Sequence, residues 1–169
     1  SARARDALTL APSHVPALIA LGRALLGLGR PDEADAVLRD ALARAPDDPE
    51  LRGALALAHL VRGNEHLLAF RPAGAEPAYR QALEADPSYV AAMGNLANAL
   101  TAQGRVAEAL VFYRQALTVE PDSADIGYAN SLALLLDGQY DAGWHWHERR
   151  RDTAMLRWNY DRHPNLPQW

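Results

Sequence analysis

His145 and His147, followed by Glu148, are the residues whose types best suit metal binding or acid–base chemistry. Imidazole and carboxylate are common metal ligands, but a site needs them to converge. On a helix, residues two apart point about 200° from each other, so these two imidazoles cannot easily face one ion. His163 is available but has no placed partner. A structural or surface role is expected for these histidines, with no metal and no cofactor. Asp47-Asp48 follow Pro46 in a turn, where carboxylates cap the next helix rather than form a catalytic pair. Gly27-x-Gly29 lacks the preceding strand that a phosphate loop requires. The serines sit in no nucleophile motif. With 0 cysteines there are no disulfides or thiolate ligands, and all 17 basic residues are arginine. Mechanisms that need a lysine, from Schiff bases to a Walker-type phosphate loop, are excluded. No enzyme is expected in this chain.

The elements that carry these residues follow from bulk and period. At 169 residues, the chain suits one compact domain or a short repeat array. Apolar residues make up 49%, yet no stretch approaches the roughly 20 consecutive apolar residues of a membrane span. The net charge of −4 does not suit a nucleic-acid binder. A cytoplasmic protein with neither nucleic-acid nor membrane partners is expected. The opening Ser-Ala-Arg, with no methionine and no signal-like run, suggests a piece of a longer chain.

Internal repetition organises the whole sequence. Pro12, Pro46, Pro87 and Pro121 are 34, 41 and 34 residues apart, and so are Gly29, Gly63, Gly104 and Gly138. Ala-Leu pairs at 7–8, 41–42, 82–83 and 116–117 keep the same spacing. Tyr79-Arg80-Gln81-Ala82-Leu83 and Tyr113-Arg114-Gln115-Ala116-Leu117 are near copies. Each unit reads as a helical hairpin. Met93, Leu96, Ala97 and Leu100 recur at helical spacing, Gly104 ends that helix, and Ala109, Phe112, Tyr113, Ala116 and Leu117 line a second. Pro121 then stops the second helix.

This pattern of Leu-Gly, Ala, aromatic, Ala and Pro over 34 residues resembles the tetratricopeptide-repeat (TPR) family, across roughly residues 2–151. The resemblance implies an all-α, right-handed superhelical solenoid of about four hairpins whose inner face carries the first helix of each. The expected divisions are 1–14 (second helix of a truncated repeat), 15–48, 49–89, 90–123, a divergent 124–151 and a capping tail at 152–169. Arg150 replaces the alanine expected in the last hairpin, so stacking should stop there.

The 49–89 unit is seven residues too long. With Gly63 taken as its turn glycine, the surplus falls near 64–70, as extra helical turns or as a bulging loop. Leu67, Leu68 and Phe70 in that stretch are candidate partner contacts, against the plainer reading that they pack back on the array. Pro77 then marks the start of the second helix.

The TPR resemblance also places candidate binding residues on the inner face: Arg23, Leu57, Asn95, Asn98 and Tyr128, flanked by Ile19, Leu60 and others. Gly94-Asn95-Leu96-Ala97-Asn98 is similar to the repeats of O-linked N-acetylglucosamine transferases, in which inward asparagines hold an extended peptide's backbone. The chain departs from that ladder at Ala20 and Ala54, and Asn130 is displaced by one. The lysine-based carboxylate clamp of chaperone-binding TPRs has no lysines here, and Arg23 could replace one charge only. Finally, Gly138-Gln139-Tyr140-Asp141-Ala142-Gly143-Trp144, Glu148-Arg149 and Pro167-Gln168-Trp169 resemble the junction of bacterial TPR arrays with a glycosyltransferase-like domain. The expected function is a non-catalytic scaffold for a protein or extended peptide. A substrate-selecting region of such a transferase and a self-associating scaffold are the alternatives.

Overall fold

The structure, a computed structural model, describes residues 14–147. The segments expected to form the truncated first helix and the capping tail, with Glu148, Arg149 to Arg151, His163 and Pro167 to Trp169, lie outside the described residues. Among the described residues there are eight helices and no strand. They are α1 (Val15–Gly27), α2 (Pro31–Arg44), α3 (Pro49–Leu68), α4 (Pro72–Ala85), α5 (Val90–Ala102), α6 (Val106–Val119), α7 (Ala124–Leu136) and α8 (Tyr140–His147). The chain divides into two compact units between Asn95 and Leu96, inside α5.

Local chemistry sets the helix starts. Proline occupies the first turn of α1, α2, α3 and α4, where its missing N–H is not needed. Asp48 caps α3: its Oδ1 accepts from the N–H groups of Glu50 and Leu51 at 2.9 and 3.0 Å. In the first unit the apolar faces of α1 to α3 close over Leu18, Leu25, Leu38 and Leu51. Small residues set the approach of paired helices. A Cβ on Gly22 would lie 2.9 Å from the Leu38 side chain, and one on Gly63 would lie 2.4 Å from the Tyr79 ring. Ala97 is fully buried in the second unit, as is Ala109.

The hairpin turns correct the placement of the surplus. Each turn closes with the same bond, in which the residue after the turn donates to a carbonyl five residues back. These bonds are Arg30 to Leu25, Arg71 to His66, Arg105 to Leu100 and Gln139 to Leu134. The left-handed residues at the four turns are Gly29, Phe70, Gly104 and Gly138, with φ of 68°, 55°, 78° and 82°. Phe70, not Gly63, is therefore the counterpart of the turn glycines. Gly63 lies in mid-helix against Tyr79, as Gly22 lies against Leu38.

The surplus thus sits upstream of Gly63, within α3, rather than at 64–70. That helix has 20 residues where α1, α5 and α7 have 13. Seven residues advance a helix by about 700°, close to two full turns, and lengthen it by about 10 Å. The buried face of α3 is therefore preserved through the added length. The second helix of this hairpin begins at Pro72, so Pro77 lies inside α4. There its absent N–H leaves the Ala73 carbonyl without its helical donor.

Candidate functional site

The first unit gathers three polar side chains from three helices. Asn64 projects from the late part of α3, and its Oδ1 accepts from the Tyr79 hydroxyl of α4 at 2.9 Å. The same oxygen accepts from Nδ2 of Asn95, on α5, also at 2.9 Å. Burial pushes the Tyr79 phenol up to about 12, so its proton stays in place as a donor. With Oδ1 of Asn64 doubly engaged, its Nδ2 is turned away from both partners. Asn95 has spent a donor and keeps its own Oδ1 as an acceptor. Both side chains are only part-buried.

The second unit repeats this construction. The Tyr113 hydroxyl donates to Oδ1 of Asn98 at 2.6 Å. Burial is the main cause that raises the Tyr113 phenol, with a hydrogen bond involving Thr101 acting the other way. Asn98 is exposed, and its Nδ2 makes no hydrogen bond among the described residues. Asn64 and Asn98 are 34 residues apart, as are Tyr79 and Tyr113. Asn64 thus occupies the Asn98 position, which a 34-residue period running on from Gly29 hides, because α3 is seven residues longer. Counting back fifteen residues from each tyrosine finds both.

The other expected site residues are scattered. Arg23 is exposed on α1, at the position of Asn64 and Asn98 in the turn-based register. Leu57 is half-buried on α3. Ile19 and Leu60 are core residues, so they line no open surface. Tyr128 packs on His147, with ring centroids 5.5 Å apart, and His147 in turn meets Trp144 edge-on at 5.3 Å. Leu67 is half-buried at the end of α3, whereas Leu68 and Phe70 are 80% and 94% exposed. His145 is exposed on α8. Among the described residues no group of three His, Asp or Glu side chains could hold a metal.

A further polar cluster escaped sequence reading. His59 is 2% exposed on α3 and sits between α2 and α4. Its Nδ1 lies 3.0 Å from a guanidinium nitrogen of Arg62, a group that can only donate, so the ring proton is on Nε2. Nε2 approaches Asp35 Oδ1 at 3.2 Å. The approach is close but poorly aligned, because that oxygen has no hydrogen-bond partner. Burial, chiefly, lowers the imidazole to about 4 against the pull of Asp35, so it is neutral at physiological pH. Arg62 also donates to Gln81 of α4, and Arg39 pairs with Asp35 at 2.9 Å.

The tetratricopeptide-repeat profile matches residues 2–58 and 66–126. The chain belongs to the tetratricopeptide-repeat family. The seven residues left between the two matches, 59–65, fall inside α3. Two crystal structures of MamA resemble this TPR chain. One is 18% identical, with a TM-score of 0.64, and covers 93% of this chain and 88% of its own. The other is 17% identical, with a TM-score of 0.61, and covers 98% and 85%. At such identity the likeness carries the fold of the TPR array. No curated protein matches the sequence significantly.

Proposed function

We propose that this chain is a non-catalytic scaffold that binds a protein partner through an extended peptide segment. The observation that supports this reading is the recurrent tyrosine–asparagine pair. In each pair a buried hydroxyl holds the amide oxygen, so Nδ2 of Asn64 and of Asn98 is presented in a fixed orientation. An oriented amide N–H suits a backbone carbonyl and does not read a side chain. Pre-organisation by tyrosine lowers the entropy lost on binding. In the first unit, Asn95 adds an acceptor beside the Asn64 donor, which matches both polar groups of a peptide unit. Arg23, Leu57 and Tyr128 belong to the same proposal as flanking contacts, and the exposed Leu68 and Phe70 as a separate apolar one.

The test is calorimetric titration of the chain with extended peptides, preceded by light scattering. A monomer whose peptide affinity falls about tenfold per variant in Asn64→Ala and Asn98→Ala supports the reading. Unchanged affinity in both variants overturns it, and a stable oligomer that binds no peptide favours self-association.

A second reading makes the chain the substrate-selecting region of a bacterial glycosyltransferase-like protein. Its support is the segment from Gly138 to Trp144, which forms the turn before α8 and most of that helix. Its test is the coding sequence of the full gene. A following domain without a sugar-nucleotide site removes this reading.

A further inference from the structure

The two added turns of α3 have a consequence on the opposite side of that helix from Asn64. Along α3, the second helix of the hairpin runs back from the turn at Phe70: Gly74 lies by His66, Tyr79 by Gly63, and Gln81 by Arg62. At this pace α4 ends, at Ala85, level with the middle of α3, and the first two turns of α3 extend beyond it. Beside that step, between α2 and α4, is a pocket of about 270 Å³. Leu42, Leu55 and Ala85 form its apolar walls, and the His59 ring lies at its base.

The polar lining is almost fully committed. Arg39 is paired with Asp35, and both His59 nitrogens face Arg62 and Asp35. Gln81 uses its Oε1 on Arg62. Among the charged groups of the lining Glu84 is the exception: it is exposed at the pocket rim, and its carboxylate has no ion pair or hydrogen bond among the described residues. An apolar hollow edged by one unpaired carboxylate at its mouth fits a side chain whose methylene stem lies across the hollow and whose cationic head stays at the rim. The chain's net charge of −4 favours approach by a basic partner.

We propose that this pocket is a second protein-binding site that takes an arginine or lysine side chain of a partner, with the stem lying across Leu42, Leu55 and Ala85 and the cation on Glu84 at the rim. The site is independent of the asparagine surface. It follows from the longer α3, which moves the end of α4 away from the end of α2.

The test uses the full chain and three small probes: the acetyl-amide derivatives of arginine, lysine and norleucine, titrated by NMR. Arginine and lysine probes should shift the amide signals of Leu42, Leu55, Glu84 and Ala85, and norleucine should bind several-fold more weakly. Glu84→Gln should weaken the cationic probes by about five-fold, and Glu84→Lys should abolish their binding. Both variants change an exposed side chain, so the fold is retained and is checked by circular dichroism. Asn64→Ala should leave probe binding unchanged, which separates this site from the peptide surface. Equal binding of norleucine, indifference to Glu84→Lys, or shifts scattered over other surface carboxylates would overturn the assignment.

Discussion

The hydroxyl of Tyr79 donates to the amide oxygen of Asn64 across the α3–α4 hairpin, and fifteen residues separate them in sequence. Tyr113 and Asn98 repeat the bond at the same separation. A tyrosine that both fills the hairpin core and orients a surface amide couples stability to binding. Tyr79→Phe and Tyr113→Phe keep the packed ring and remove the bond, so each should cost about 1 kcal/mol. The shift in urea midpoint measures this. The same variants should weaken peptide binding although neither tyrosine need touch the peptide. A variant with lowered stability and wild-type affinity would show that the orientation is unimportant.

Phe70 stands at φ 55° where its three counterparts are glycine. A residue with a Cβ in this conformation costs roughly 1–2 kcal/mol. Its ring is 94% exposed, so removing it forfeits little packing. Phe70→Gly should therefore raise the melting temperature by several degrees. If the ring is a partner contact, the stabilised variant should also bind its partner less well, since strained residues cluster at functional sites.

Gly63 and Gly53 share α3 but should respond oppositely to alanine. A Cβ at Gly63 would fall 2.4 Å from the Tyr79 ring, which forces the hairpin apart, and a loss of about 2 kcal/mol or more is expected. Nothing lies within 4 Å of a Cβ at Gly53, so the higher helix propensity of alanine should add up to about 1 kcal/mol. Thermal melts of the two variants check the pair. A mild effect at Gly63 would show that its contact with Tyr79 does not set the spacing of the two helices.

Acid should weaken the first unit through His59. Its folded value of about 4 lies below the ordinary 6.5, because burial outweighs Asp35, and Arg62 and Arg39 act in the same sense as burial. Between those pH values the unfolded chain binds the proton more readily, so stability is full above pH 6.5 and falls as pH drops toward 4. The shift corresponds to about 3 kcal/mol. Melting His59→Gln and the parent chain at pH 7.5 and 4.5 tests this: the variant should lose less stability on acidification. An equal loss would assign the acid sensitivity to other groups.

The sequence by itself determined the helical hairpins and the family. Proline and glycine at fixed intervals, with apolar residues at helical spacing, specify where helices start, stop and bury a face, and all of this is local chemistry. The tyrosines and alanines of the hairpin core were legible for the same reason. The register of α3 was not. A seven-residue surplus is nearly two whole turns, so Ala56 and Gly63, or His59 and His66, lie on the same helical face, and either glycine-based or phenylalanine-based turn satisfies the pattern. Only the tertiary contacts decided it, when the Tyr79 ring came to rest on Gly63 and left Phe70 at the turn. That choice brought Asn64 beside Tyr79 and Asn95, buried His59 between Asp35 and Arg62, and left a pocket at the end of α4. Each of these joins residues on different helices, and a repeat period carries no information on how one helix slides against the next.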